Sequence, residues 1–168
     1  MRLGGLSGSS SARSLTSGLS AVVATPIVRS ETAFTSRDGL LFIAGIDANE
    51  ELVLYWQTGE VDASEQQIWA FTNLDQEHFA PQGLMRPDWI GDAVSYVTQW
   101  NGLNIASLDA NGDIWSAWWA PGLASWRIDN LSTITGAPPL VGGLTAYLTD
   151  WGGINLAGLD AQGEVRVT

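Results

Sequence analysis

Nine tryptophans in 168 residues are the side chains with the most chemistry to offer. An indole face stacks on the C–H face of a sugar ring while its N–H donates a hydrogen bond. Trp100 and Trp151 stand beside Asn101-Gly102 and Gly152-Gly153, pairs that mark hairpin tips, and loop positions meet ligands more readily than strand positions. Trp118 and Trp119 are neighbours, and neighbours on a strand face opposite ways. With Trp118 assigned to the core, Trp119 is expected to face outward and is the foremost exposed aromatic. Arg127 follows Trp126 and is placed to clamp a hydroxyl or a carboxylate. The candidate ligand-binding set is therefore Trp100, Asn101, Trp119, Arg127 and Trp151.

Three aspartates, Asp47, Asp109 and Asp160, each precede a tight turn. Asp109, Asn111 and Asp113 fall at i, i+2 and i+4, as in a calcium loop. The equivalent stretch after Asp47 is Asn49-Glu50-Glu51, without glycine, and no bidentate Glu follows either loop. The expected role is a structural carboxylate that accepts turn amides, and no metal or cofactor is implied. Asn104 and Asn155 lie mid-strand and are expected to satisfy neighbouring backbone. His78 lies in DQEHFAPQG with no partnering Ser or Cys motif and reads as a loop histidine. Asp75 and Glu77 flank it; paired carboxylates are glycosidase chemistry, but here they read as solvated loop charges. No catalytic constellation repeats or converges, so a non-enzymatic protein is expected.

Composition closes off other classes. There are 18 acidic residues against 7 basic, a formal charge of −11, and all seven basic residues are Arg. Such a chain repels phosphates, so nucleic acid and anionic membrane are poor partners. Cys is absent, which removes disulfides, thiolate metal sites and cysteine nucleophiles together. No apolar run approaches the roughly 18 residues of a membrane span. Arg2 and Arg13 precede a mildly apolar stretch, Leu15 to Ala24, in a faint signal-peptide outline interrupted by Ser and Gly. The acidic, Lys-free, Trp-rich composition favours a secreted or cell-surface setting.

Positioning of these residues falls to an internal repeat. The segment AVSYVTQWNGLNIASLDANGDIW (93–115) aligns without a gap with LTAYLTDWGGINLAGLDAQGEVR (144–166). Tyr96 matches Tyr147, Trp100 matches Trp151, Asn104 matches Asn155 and Asp109 matches Asp160. A third copy, ETAFTSRDGLLFIAGIDANEELV (31–53), has Phe34 at the Tyr place, Asp38 at the Trp place and Asp47 at the Asp place. Downstream, Trp56 matches Trp118 and Trp69 matches Trp126, with five extra residues in the first copy. These strand tryptophans are expected to be core.

Each unit reads as four short strands, placed in the second unit near 93–99, 103–109, 113–119 and 125–131. Asn111-Gly112 signals a two-residue type I′ hairpin. Four antiparallel strands per unit of 50–60 residues is the pattern of a β-propeller blade; a β-trefoil is the alternative. The whole chain is one repeat domain with units of about 26–81, 87–140 and 141–168, the last completed by 1–25. Residues 8–17, where Ser14-Leu15-Thr16 resembles Asn130-Leu131-Ser132, are the candidate fourth strand. About three four-stranded blades are too few for a ring, so closure by a homo-oligomer is expected, first of all a dimer with six blades.

The segments YVTQWNGLNIASLDANGDIW and WWAPG…WRIDNLSTITGAPP resemble Trp-rich bacterial β-propeller repeats, including fucose-binding propeller lectins, over about residues 26–168. The resemblance implies a propeller, a lectin-like activity and assembly from short chains. Ser107-Leu108-Asp109-Ala110-Asn111-Gly112 also looks like the sialidase Asp box, departing by one residue in the Asp-to-Gly spacing and lacking the Thr; no sialidase chemistry is carried over. The expected function is a multivalent, lectin-like module for neutral glycans, with sites between blades. The competing expectation is a structural or assembly propeller with no small-molecule ligand.

Overall fold

The structure, a computed structural model, describes residues 24–168. Three antiparallel sheets follow one another along the chain. Blade 1 comprises β1 (Ile27–Thr35), β2 (Leu41–Asp47), β3 (Leu52–Val61) and β4 (Gln67–Asn73). Blade 2 comprises β5 (Val94–Val97), β6 (Leu103–Leu108), β7 (Ile114–Trp119) and β8 (Arg127–Asn130). Blade 3 comprises β9 (Gly142–Leu148), β10 (Ile154–Leu159) and β11 (Val165–Val167). Every strand pairs with its sequence neighbour, so each sheet is a simple meander. These separate blades define an all-β blade-repeat fold and exclude the trefoil alternative. The fourth strand expected from residues 8–17 lies outside the described residues.

The strands are rich in Val, Ile, Leu and aromatic residues, side chains that fit a pleated surface covered by neighbours. The blades stack face to face, with β1, β5 and β9 side by side and Thr32 Oγ1 hydrogen-bonded to Ser95 Oγ at 2.8 Å. One core lies between blades 1 and 2, built from Phe34, Phe42, Ile46, Leu54, Ile105 and Ile128 among others. A second lies between blades 2 and 3, around Tyr96, Leu108, Ile114, Leu140 and Leu156. Blade 2 therefore buries both of its faces, and its β6 is buried at every residue.

The turns follow one plan. Asp109 N–H donates to Asp113 O and Gly112 N–H to Asp109 O, at 3.0 Å each. This four-residue reverse turn with a single left-handed residue replaces the two-residue type I′ turn expected at Asn111-Gly112. Gly112 alone needs positive φ (81°), and Glu50 (63°) fills that place in blade 1. The Asp109 carboxylate accepts from the amides of Asn111 (2.8 Å) and Asp113 (2.9 Å). Asp47 and Asp160 do the same in their blades. These oxygens are occupied by amides, as a structural carboxylate requires.

Gly112 has a second reason to be glycine. Leu140 N–H donates to Gly112 O at 2.9 Å, and a Cβ at Gly112 would collide with the Leu140 carbonyl. That contact ties the β6–β7 turn to the segment leading into blade 3. The five extra residues of blade 1 lengthen the β3–β4 hairpin, whose tip is closed by Asp62 accepting from Ser64 and Gln66 amides. Two short helical pieces interrupt the strands: a π-helical turn, Asp75–Phe79, running into a 3₁₀ turn at Ala80–Gln82, and α1, Leu131–Thr135, capped by Asn130. None of the described helices is long and apolar enough to cross a membrane.

Candidate functional site

The stacking of blades explains where the tryptophans go. On β7, Ser116 and Trp118 face blade 3, while Ala117 and Trp119 face blade 1. Alternation places Trp118 and Trp119 on opposite faces as expected, but both faces are interfaces. Trp119 is therefore not the outward aromatic: it is half-buried against the first core and donates its indole N–H to Leu123 O at 3.0 Å. Trp126 is core, at 6% exposure, whereas Trp69, expected there with it, is 42% exposed. Trp69 sits opposite Gln57 on the face of blade 1 that no described sheet covers. Trp56 and Trp118 are half-buried at the edges of cavities rather than fully in the core.

The first cavity, about 350 Å³, lies between blades 2 and 3. Trp100 at the β5–β6 tip (57% exposed) and Trp118 near the end of β7 supply its aromatic surface, with Trp119 only at its margin. Tyr96, Asn104 and Ser116 supply its polar groups. Register fixes this grouping, because Tyr96 pairs with Asn104, Asn104 with Trp118, and Ser116 lies two residues before Trp118 on the same face. Asn104 donates from its amide nitrogen to Gly102 O at 3.1 Å and Tyr96 O at 3.5 Å, and no protein donor among the described residues reaches its oxygen. Ser116 is 2% exposed, and its hydroxyl has no partner at good hydrogen-bond geometry, although the Tyr96 phenol lies close enough to feel it. Burial pushes the Tyr96 phenol up, against the opposing pull of the neighbouring Ser116 hydroxyl, so the phenol stays protonated at neutral pH. No Asp, Glu, Arg or His lines this cavity among the described residues.

The other expected ligand residues do not join it. Asn101, left-handed at φ 62°, accepts from Arg37 N–H at 2.9 Å and donates to Asp38 at 3.1 Å, bridging two hairpin tips. Arg127 is exposed at the start of β8, opposite Trp118 in register but outside the cavity lining. Trp151, 79% exposed, folds over its own Gly153 on blade 3. Its neighbour in the repeat, Asn155, has a buried amide nitrogen without a partner. Asn104 satisfies backbone as expected, and Asn155 does not.

A second cavity, about 310 Å³, lies between blades 1 and 2. It occupies the equivalent place one blade earlier. Trp56 replaces Trp118, Phe42 replaces Asn104, Leu54 replaces Ser116, and His78 stands where Thr135 stands. His78 is not the loop histidine expected from its segment: its Nδ1 lies 2.8 Å from Ser125 Oγ. Ser116, Tyr96 and the His78–Ser125 pair escape a reading of sequence motifs. Ser116 was nevertheless within reach, since it lies two residues from Trp118 on the same strand.

No family model matches the chain, and no curated protein matches it. Among solved structures, a fucose lectin from Kordia zhangzhouensis in complex with methyl-fucoside is similar at 13% identity. The similarity covers 82% of this chain and 89% of that one, with a TM-score of 0.45. Fold and geometry together define a blade-repeat protein with aromatic cavities between successive blades.

Proposed function

We propose that the protein is a non-enzymatic binding module for neutral sugars, with its site in the cavity between blades 2 and 3. The observation that carries this reading is the buried Ser116 hydroxyl beneath Trp100 and Trp118, which has no bond of good geometry and only the Tyr96 phenol near it. A buried hydroxyl without a partner is costly, and a ligand hydroxyl placed there removes the cost. The Asn104 oxygen is a second acceptor beside it. Indoles offer stacking surfaces for a pyranose ring. The uncharged lining, on a chain of formal charge −11, favours neutral over sialylated or sulfated glycans. Affinity for one monosaccharide is expected on the order of millimolar. Titration with neutral monosaccharides, followed by NMR, is the test. Trp118→Ala is expected to abolish binding while Trp151→Ala retains it; no response to any neutral sugar leaves the structural-subunit alternative.

Self-association is the second part of the proposal and would raise avidity. Two blade faces are uncovered among the described residues. On blade 1, Trp69 is exposed near the tilted Tyr55–Phe71 pair, whose ring centroids lie 4.9 Å apart. On blade 3, Tyr147, Leu159, Val165 and Val167 are exposed. They repeat the two kinds of face that pack together inside the chain, so copies joined head to tail, two copies giving six blades, would cover both. Light scattering tests this: a monodisperse monomer at micromolar concentration overturns it.

A further inference from the structure

The cavity between blades 1 and 2 shares the plan of the proposed sugar site but differs in its chemistry. Its floor is mostly apolar, since Phe42 and Leu54 stand where Asn104 and Ser116 stand in the other, and the Thr72 hydroxyl beside Leu54 already donates to Glu77 at 2.9 Å. Indole surface comes from Trp56, Trp119 and Trp126. A hydroxyl-rich ring would lay polar groups against Phe42 and Leu54 with nothing to bond, at a cost for each. The helical segment that follows blade 1 and the β7–β8 connection then bring one polar cluster to the side of the cavity.

That cluster is held together by short contacts between polar side chains and backbone. Gln82 Nε2 donates to His78 O at 2.6 Å and Trp126 O at 2.9 Å, and stands 3.2 Å from Ser125 Oγ. Gln82 Nε2 has no lone pair with which to accept, so a Ser125 hydroxyl that donates to a side chain of this cluster donates to His78 Nδ1, 2.8 Å away. In that arrangement His78 carries its own proton on Nε2, for which no acceptor is found among the described residues. Burial lowers the His78 pKa, so the imidazole is neutral at pH 7.

We propose that this cavity is a second ligand site, for an uncharged apolar ring bearing one hydrogen-bond-accepting oxygen. The ring lies over Phe42 and Leu54 between Trp56 and Trp126, and its oxygen accepts from His78 Nε2–H. The volume of about 310 Å³ suits one substituted ring. Ser125 and Gln82 act as positioning residues that hold the imidazole in the donating tautomer. The site is independent of the sugar reading, because the two cavities differ in both floor residues.

The test compares acetophenone with ethylbenzene, which matches its shape but lacks the acceptor, in the full chain with nitrogen-15-labelled indoles. Acetophenone is expected to shift the Trp56 and Trp126 indole signals and to bind about fivefold tighter than ethylbenzene, the worth of one neutral hydrogen bond. His78→Phe is expected to reverse the order in favour of ethylbenzene, because the ketone oxygen is then buried without a donor, and Ser125→Ala to narrow the gap. If the His78 variant does not fold, the comparison in the wild-type protein still decides. Acetophenone that leaves Trp56 and Trp126 unmoved, or that binds no tighter than ethylbenzene, overturns the proposal. Methyl α-glucoside, by contrast, is expected to move Trp100 and Trp118. Failure of methyl α-glucoside and of every other neutral monosaccharide would overturn the sugar reading and leave this one standing.

Discussion

Blades 1 and 2 carry out the same local tasks with different atoms. In blade 2 the first amide of β7, Ile114 N–H, donates to the Ser132 hydroxyl at 2.9 Å. In blade 1 the equivalent amide, Leu52 N–H, donates to the Asp75 carboxylate at 2.6 Å. The latch is conserved in geometry between the two units and changed in charge. The cavities that follow differ in the same way, with hydroxyl and amide groups on the floor of one and Phe42 and Leu54 on the floor of the other. A repeat fixes where side chains stand, while single substitutions decide whether a position titrates, bonds a ligand or only packs.

The largest expected effect separates a turn that is a joint from one that is free. Gly112→Val forces a β-branched residue to φ 81° and drives its Cβ into the Leu140 carbonyl. Left-handed strain and overpacking together predict a loss of about 4 kcal/mol in urea unfolding. Gly39, at φ 88°, has open space around its Cβ position, so Gly39→Ala is expected to cost only about 1 kcal/mol. Equal losses at the two glycines would remove the assigned role of Gly112 in tying blade 2 to blade 3.

The next effect tests the charged latch. Asp75 is 5% exposed, its Oδ1 has no hydrogen-bond partner, and burial pushes its pKa up to about 6, against the opposing pull of Leu52 N–H and Arg86. A carboxyl that holds its proton more tightly folded than unfolded stabilises the fold most at low pH. That contribution is fully present below about pH 4 and is lost as pH rises through about 6. Two pH units correspond to about 3 kcal/mol as an upper size. Asp75→Ser, which installs the blade 2 latch in blade 1, is expected to flatten this slope in denaturation series from pH 4 to 7. Asp47 and Asp160, whose carboxyls are held below the usual range by hydrogen bonds, contribute in the opposite sense and lose stability as the solution becomes acidic. An unchanged slope in the Asp75 variant would place the titration elsewhere.

The blade meander was legible because its signals are local. The aligned YxTxW and LDAxG segments, the glycines near each turn and the alternating apolar residues of β5, β9 and their partners all point to hairpins. The facing of the tryptophans was not legible, because period-two alternation says that Trp118 and Trp119 diverge but not that both sides are covered. Only the stacking of a third sheet turns the face of Trp118 into a cavity wall. Asn101 misled for a related reason: a polar residue at a hairpin tip looks free until the neighbouring tip, Arg37-Asp38, is seen to use it. His78 and Ser125 are 47 residues apart, and no short-range pattern joins them.

The smallest effect bears most directly on the difference between the two cavities. Leu54, on the floor of one, is buried and satisfied by packing, while Ser116, on the floor of the other, has a hydroxyl with no bond of good geometry and only the Tyr96 phenol close to it. Residues selected for stability alone do not keep such a group, because an unpaired buried hydroxyl costs about 1 kcal/mol or more. Ser116→Ala is therefore expected to raise the unfolding free energy by up to about 1 kcal/mol, net of the small void left behind. The same change is expected to weaken sugar binding in the first cavity and to leave ligand shifts at Trp56 and Trp126 unaltered. A variant that is more stable and binds less would show that the orphaned hydroxyl is held for a ligand. A variant that loses stability would show that the Ser116 hydroxyl is bonded within the fold, and the chemical distinction between the two cavities would then rest on Asn104 and Phe42 alone.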